Sequence, residues 1–244
     1  EKFMQGVFFI AACASVLAVA LICIFLFANG LPAMKEIGFG KFLTGTIWKP
    51  NNDIYGILPM IVGSLYVTAG AIIVGVPIGI LTAVFMAFYC PKQIYKPLKT
   101  ATELLAGIPS VVYGFFGLVV LVPLIRQLGR NLGMGGNGSS MLTASLLLGM
   151  MILPTVIGLT ESSLRAVPTH YYEGAVALGA THERAIFRVV LPAAKSGVVA
   201  AIVLGIGRAI GETMAVIMVA GNQARMPAGL FRGLRTLTAN IVIE

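Results

Sequence analysis

The chain is 244 residues long; 58% of its residues are hydrophobic and only 11% are charged. Soluble domains carry roughly 25% charged residues, so this composition excludes an ordinary soluble protein and indicates an integral membrane protein. The net charge of +8 would suit a nucleic-acid partner in a soluble chain. Basic loops beside membrane spans explain it better here, since no basic and aromatic residues are interleaved.

Apolar windows predict five membrane-spanning helices, because a spanning helix needs about 20 apolar residues. Four windows are free of charge and a fifth is interrupted only by Arg208 and Glu212, which places the spans near residues 6–28, 60–86, 104–125, 140–160 and 197–221. The first run is too long for the core of a signal peptide. The sequence starts at Glu1 without methionine and ends just after a polar loop, so we expect clipped ends and a missing further helix.

The charges of the loops do not settle the orientation of the spans. Lys and Arg number eight on each side, and only the dense second loop, residues 91–100, favours placing the even loops in the cytoplasm. The three cysteines and two histidines show no spacing typical of a disulfide framework or a metal site, and we expect neither.

Glycine and proline motifs within and between the spans predict packing and turns. GMGGNG at 133–138 matches a dinucleotide-binding pattern but joins two spans, so a turn is the better interpretation. Gly75 and Gly79 form a G-x-x-x-G pair that predicts close helix packing. Pro109, Pro123 and Pro154 favour kinks absorbed by neighbouring helices over broken helices that present their ends to a substrate. No P-loop is present, so the chain cannot hydrolyse ATP by that route.

The fourth loop, residues 165–195, predicts two short helices. Thr169 follows Pro168 at a helix start with Glu173 in the first turn, Gly179 ends this helix, and Thr181 caps the next one. The first helix contains the small apolar segment AVALGA outside the spans. This pattern favours a helix that docks in a partner's groove, with an interfacial helix on lipid as the alternative.

The loop resembles the EAA loop of ABC importer permeases. Its matching residues are Glu173, Gly174, Ala175, Gly179, Leu191 and Pro192, with Gly174 and Val189 replacing the family's alanine and isoleucine. The resemblance implies an all-α type I ABC importer permease fold with six helices, of which five are present, in one permease domain over residues 1–244. It also implies that this loop is cytoplasmic and is the site where an ATPase subunit docks.

Further motifs are similar to the PstC family of phosphate permeases. They cover most of the chain in order: ELLAGIPSVVYGFFGL (103–118), MMILPTVIG (150–158), GRAIGETMAV (207–216) and RTLTANI (235–241). The resemblance implies a multi-pass protein of a bacterial or archaeal cytoplasmic membrane with a cytoplasmic N-terminus. The implied partners are a PstA-like permease, a PstB-like ATPase dimer and a PstS-like phosphate-binding protein. No cofactor is expected on this chain, because ATP and Mg²⁺ bind the ATPase.

Arg208 and Glu212 are the charges expected to face a pathway. Each costs roughly 2.5–3.5 kcal/mol at bilayer depth, and a spacing of four places them on one helix face within reach of each other. They form either a neutral pair that allows insertion or part of a substrate pathway. We expect Arg208 to meet phosphate in transit, Glu212 to hold Arg208 and compete with the anion, and Thr213 to donate a hydroxyl. Outer arginines either concentrate anions or solvate a loop: Arg225, Arg232 and Arg235.

The competing functions are a permease for another oxyanion, a secondary carrier and an intramembrane enzyme. An enzyme such as a lipid-modifying transferase needs a nucleophile and base or a metal cluster in its spans, and none accompanies Glu212. A secondary carrier predicts internal repeats, which the sequence does not show convincingly, and gives the EAA loop no role. Co-purification with an ATPase distinguishes both from an ABC permease.

Overall fold

The computed structural model describes residues 2–244, and these residues are mostly helical. The chain divides into two compact units: the first runs to Leu58, and the second is Pro59–Glu244. The single permease domain expected from the sequence stays a prediction.

The first unit contains two helices and a small hairpin. Helix α1 is Lys2–Ile37, α2 is Phe39–Thr44, and strands β1 (Trp48–Lys49) and β2 (Ile54–Tyr55) pair antiparallel. A helix that is apolar all round is typical of a membrane span, and α1 has no buried residue. Asp53 follows the 3₁₀ turn Pro50–Asn52 with a φ of 55°, which lets the hairpin turn sharply.

Two long helices form the centre of the second unit. Helix α3 is Leu58–Val84, continued by a π-turn at Phe85–Tyr89, and α7 is Met141–Arg165. A Cβ atom on Gly75 would lie 2.7 Å from the carbonyl oxygen of Gly149, and one on Gly79 would lie 2.7 Å from Val156 Cγ1. The absent side chains therefore let α3 and α7 approach closely, which confirms the predicted packing role of this glycine pair.

The third span differs from its prediction. An amphipathic helix, α4 (Lys92–Gly107), ends before Pro109, and the apolar helix starts at Ser110 as α5 (Ser110–Phe116), continuing through a π-turn into α6 (Val122–Asn131). The predicted boundaries 104–125 are therefore wrong at both ends. The residue before a proline disfavours helical geometry, which explains the break at Ile108. The kink expected at Pro109 is therefore wrong, because the helix breaks there, whereas Pro123 and Pro154 lie inside continuous helices, as predicted.

The glycine-rich segment after α6 is a loop. Its glycines Gly133, Gly135, Gly136 and Gly138 all have positive φ values, between 64° and 112°. L-residues with a side chain rarely adopt this conformation, so the segment turns the chain back into α7. The interpretation of GMGGNG as a turn is confirmed.

The last part of the chain contains six short or broken helices. They are α8 (Thr169–Ala177), α9 (His182–Ala185), α10 (Leu191–Ala193), α11 (Lys195–Gly211), α12 (Met214–Val219) and α13 (Leu237–Ile243). Four helices in the described residues are long and apolar enough to cross a membrane, and a fifth crossing is obtained if His182–Ala193 and Lys195–Gly211, bent by 70°, count as one. The predicted fifth span, 197–221, is interrupted at Glu212 and Thr213.

Apolar side chains pack into two clusters in this unit. The larger joins α3, α7, α11 and α12, and includes Ala71, Leu147, Leu148, Met151, Ile152, Val156, Ala209 and Val216. The smaller lies beside the fourth loop and contains Ala83, Val84, Leu164, Ile186, Val190, Ala194 and Val198. The broken fifth span is thus held against α7 along its length, and the fourth loop is anchored at its second half.

Candidate functional site

Arg208 is a half-buried cation far along an apolar helix. At about 1.5 Å per residue it lies roughly 20 Å from the start of α11 at Lys195. The closest polar contact of its guanidinium is Thr155 Oγ1, to which Nη1 donates at 3.5 Å, the limit of a hydrogen bond. Arg208 forms no ion pair with any residue of the described range 2–244. Its charge is therefore not neutralised by this chain.

Glu212 does not pair with Arg208, and the expected pairing on one helix face is wrong. Helix α11 ends at Gly211, and Glu212 is extended, with φ −72° and ψ 128°. Its carboxylate Oε1 accepts from the backbone N–H of Ala215 at 3.1 Å, while its carbonyl accepts from Thr238 Oγ1 at 3.0 Å. A carboxylate at a helix start satisfies an otherwise free donor, so Glu212 caps α12 across the break.

The break opens onto a narrow polar crevice. Thr213, half-buried, donates its hydroxyl weakly to the carbonyl of Gly211 at 3.4 Å. The crevice is too narrow to hold a water molecule, and its polar lining residues are Ser64, Thr68, Glu212, Thr236 and Thr238. Hydroxyl groups from α3 and from the start of α13 therefore line the crevice together with Glu212, at the point where the fifth span loses its helical hydrogen bonds.

The first half of the fourth loop is an exposed helix. Glu173 and Gly174 are exposed and Ala175 is half-buried in the middle of α8, so the expectation that Glu173 lies in the first turn is wrong. Gly179, with a φ of 84°, ends the helix as predicted. Leu178, which precedes it, is 92% exposed. An apolar side chain this exposed outside the spans makes the helix end suitable for a docking partner.

The second half of the loop is anchored in the protein. Thr181 Oγ1 accepts from the backbone N–H of Arg184 at 3.4 Å, which confirms its predicted capping role. Leu191 is half-buried and Pro192 exposed just before the bend at Ala194. Ile186 and Val190 pack against Leu164 at the end of α7. The second half of the loop is therefore packed against α7 and the start of α11.

A buried carboxylate cluster lies where α7 enters this loop. Glu161 is 1% exposed. Its Oε1 accepts from Tyr95 Oη at 2.6 Å and Arg165 Nε at 2.8 Å, and its Oε2 accepts from Lys99 Nζ at 2.7 Å. Arg165 Nη2 also donates to the carbonyl of Met86 at 3.0 Å, and its guanidinium lies 4.7 Å from the ring centroid of Tyr95. Both carboxylate oxygens are satisfied, as a buried charge requires.

The cluster also affects the titration of its two partners on α4. The hydrogen bond to Glu161 raises the pKa of Lys99 above its ordinary value of 10.5, since the carboxylate stabilises the ammonium form. The pKa of Tyr95 is raised above 10.0, first by its hydrogen bond to Glu161 and then by burial, because ionisation would place a second anion beside the carboxylate.

This cluster was not predicted from the sequence. The fourth apolar window stops at Thr160, and Arg165 was counted only as a loop charge. The available signal was an acidic residue directly after a long apolar run with a basic residue four positions later, a spacing that places both on one helix face. The contributions of Tyr95 and Lys99 depend on tertiary packing and have no sequence signal of their own.

The outer arginines differ in their surroundings. Arg235 donates from Nη1 to Glu244 Oε1 at 2.9 Å and to Asn240 Oδ1 at 3.0 Å, and from Nε to the carbonyl of Asn222 at 3.2 Å. These contacts give it a structural role in tying the last loop to α13. Arg225 and Arg232 show no side-chain hydrogen bond in the described part of the chain. The structure therefore does not choose between the two roles considered for them, concentrating anions and solvating a loop.

Comparisons with known proteins agree with this architecture. Residues 75–242 match a family described as binding-protein-dependent transport system inner membrane component. A Bacillus subtilis protein named probable ABC transporter permease protein YqgH is 40% identical over 99% of this chain and 79% of its own length. A Mesorhizobium japonicum protein named phosphate transport system permease protein PstC is 37% identical over 91% of this chain and 72% of its own length. A Haemophilus influenzae protein of the same name is 35% identical over 92% of this chain and 76% of its own length.

These matches confirm the resemblance found in the motifs and the all-α permease fold. The match includes the fourth loop, the broken fifth span and Arg208, since all of them lie within residues 75–242. The chain therefore belongs to the family of binding-protein-dependent transport system inner membrane components, and it is a multi-pass permease subunit of an ABC transporter.

Proposed function

We propose that the chain is the membrane-spanning permease subunit of an ATP-driven importer of inorganic phosphate. The observation that carries the proposal is the unneutralised guanidinium of Arg208 deep in the apolar part of the second unit. The names of the PstC relatives support phosphate as the substrate. Permeation of another oxyanion is the alternative that the same guanidinium allows.

Arg208 has the chemistry that an anion pathway needs. A cation at bilayer depth is costly, so it faces a partner or a cavity that contains its ligand. Arginine stays protonated, and its planar donors match phosphate oxygens in pairs. Because Thr155 Oγ1 is only a weak partner at 3.5 Å, most of the donors of Arg208 are available to a passing anion.

Glu212 and Thr213 contribute through the break between α11 and α12. Glu212 caps α12 and so maintains the break, a role that replaces the direct hold on Arg208 expected from the sequence. Its negative charge near the pathway also opposes tight anion binding, so that the anion is released. Thr213 supplies a half-buried hydroxyl with only one weak hydrogen bond, which makes it a suitable second donor to the anion.

ATP hydrolysis drives the transport from outside this chain. Helix α8, with Glu173, Gly174 and Ala175 at its centre and Leu178 at its exposed end, docks in a cleft of an ATPase subunit that binds ATP and Mg²⁺. This loop and the N-terminus are cytoplasmic in the proposal. A PstA-like permease, a PstB-like ATPase dimer and a PstS-like phosphate-binding protein complete the transporter.

Uptake measurements test the proposed substrate. The full-length protein and its partner subunits are expressed in cells that lack their own high-affinity phosphate system, and uptake of radiolabelled phosphate is measured with and without excess arsenate or sulfate. We expect ATP-dependent phosphate uptake that sulfate does not inhibit. Uptake of radiolabelled sulfate but not of radiolabelled phosphate by the assembled complex would replace the substrate in this proposal.

A further inference from the structure

The cluster around the buried carboxylate of Glu161 connects three helical segments at the base of the fourth loop. Glu161 and Arg165 belong to α7, Tyr95 and Lys99 belong to α4, and the carbonyl of Met86 belongs to the π-turn after α3. Every group in the cluster has at least one short hydrogen bond, between 2.6 and 3.0 Å. A network of charged groups at these distances holds its helices more firmly than isolated surface pairs do.

Helix α4 lies against α7 along one face. None of its residues is fully buried: Tyr95, Leu98, Lys99 and Thr102 are half-buried on that face, whereas Ile94, Leu104 and Leu105 are exposed. The contacts of Tyr95 and Lys99 with Glu161 therefore form its principal polar attachment to α7. Because Glu161 lies one turn before the loop begins, a displacement of the loop base moves this attachment as well.

A second contact continues the connection from α4 toward the pathway. Tyr113 Oη, on α5, donates to the carbonyl of Leu105 at 2.9 Å and so spans the break at Pro109. Helix α5 then packs directly on α12, since a Cβ atom on Gly114 would lie 3.0 Å from Ala215 Cα. Ala215 is the residue whose N–H is capped by Glu212. Packed contacts thus run from the loop base to the break beside Arg208.

We propose that the Glu161 cluster is a permanent connection between α4 and α7, called the joint below. Because of this connection, α4 moves together with the base of the fourth loop and transmits that movement to the α11–α12 break. The inference rests on the proposed function, because it assigns Glu161 a positioning role in coupling ATP hydrolysis to transport. The joint stays closed throughout the cycle, since opening it would leave a buried carboxylate without partners. Glu161 acts through α4 and contacts no substrate.

Transport per ATP hydrolysed tests the joint in the complete reconstituted transporter. Glu161→Gln keeps the shape of the side chain but removes the charge that holds Lys99 and Arg165. We expect normal assembly and ATP hydrolysis, with phosphate transported per ATP reduced at least tenfold. Glu103→Gln, the same change at an exposed position of α4, should match the wild type. A merely structural role would lower the amount of complex without changing this ratio.

Variants of the partners keep the proposal testable if Glu161→Gln does not assemble. Lys99→Met and Tyr95→Phe each remove one contact from the α4 side, and each should reduce transport per ATP, while Lys99→Arg should restore coupling because it keeps the charge. Combining Lys99→Met with Glu161→Gln should give no greater loss than the larger single effect. Wild-type coupling in Lys99→Met and Tyr95→Phe would overturn the proposal.

A distance measurement separates the failure of the joint from failure of the proposed substrate. Spin labels at Ile94→Cys on α4 and Ser162→Cys on α7, in a background where the native cysteines Cys13, Cys23 and Cys90 are replaced, report the separation of the two helices. We expect one narrow distance that is the same with and without ATP, and a broad distribution in Glu161→Gln. If the wild-type complex transports no phosphate, the proposed substrate is wrong, and these distances still decide the joint. A distance that changes with ATP would overturn it.

Discussion

Leu178→Ala should weaken ATPase docking without weakening the fold. Leu178 is 92% exposed at the end of α8, so its side chain makes little contact within this chain. The substitution removes three carbon atoms, each worth about 0.8 kcal/mol when buried. Complete burial of these three carbon atoms in the partner's cleft therefore contributes about 2.4 kcal/mol, which corresponds to a roughly 60-fold change in dissociation constant.

Titration of the purified ATPase onto the permease heterodimer in nanodiscs measures this change. Leu230→Ala, the same substitution at an exposed residue of the loop after α12, is the matched control and should leave the affinity unchanged. The melting temperature of both variants should equal that of the wild type. An unchanged affinity of Leu178→Ala, or a lowered melting temperature, would refute the assignment of α8 as the docking helix.

Two further predictions concern the stability of the second unit. Gly75→Ala places a Cβ atom 2.7 Å from the carbonyl of Gly149, so α3 and α7 must separate by about 0.7 Å to reach the ordinary 3.4 Å, and we expect a loss of about 1–3 kcal/mol in thermal unfolding. Gly158→Ala, which meets nothing within 4 Å, is the control; an equal loss there would contradict the packing argument. The raised pKa values of Lys99 and Tyr95 mean that their stabilisation is complete below about pH 10.0 and is lost as the pH rises through the folded-state values. The melting temperature should therefore fall more steeply above that pH in the wild type than in Lys99→Met, and parallel curves would show that the ammonium adds nothing.

The apolar windows and the short-range signals could be predicted from the sequence because their causes are local. A long apolar run is itself the reason that a helix crosses a membrane, which is why α1, α3 and α7 lie where the windows place them. Gly179 ends α8 and Thr181 caps α9 through backbone conformation and a hydrogen bond to a neighbour three residues away. Both effects act within one helical turn.

The break in the fifth span and the Glu161 cluster could not be predicted in the same way. No proline marks the break, and a continuous helix would have paired Arg208 with Glu212. The break is instead stabilised by Thr238, 26 residues further along the chain, whose hydroxyl donates a hydrogen bond to the carbonyl of Glu212. Tyr95 and Lys99 reach Glu161 from more than 60 residues away. Such partners are determined by tertiary packing rather than by local spacing.

The third span was misplaced for a different reason. The predicted boundaries followed the charge-free window, whereas the helix boundary follows Pro109. The basic second loop contains an amphipathic helix that the apolar windows do not detect. Its lysines and apolar residues alternate with the helical period, and the lysines lower the mean hydropathy of the segment. A test for helical periodicity across residues 92–107 would have detected α4.

Phosphate uptake by Arg208→Ala tests the central claim most directly. The variant is expressed with its partner subunits in cells lacking a high-affinity phosphate system, and ATPase binding is measured on the same complex. The account predicts that uptake is abolished while the ATPase still binds, because the anion loses its cation inside the membrane and α8 is unaffected. Wild-type uptake by the Arg208→Ala transporter would contradict the account, and would leave Arg208 without a role in the substrate pathway.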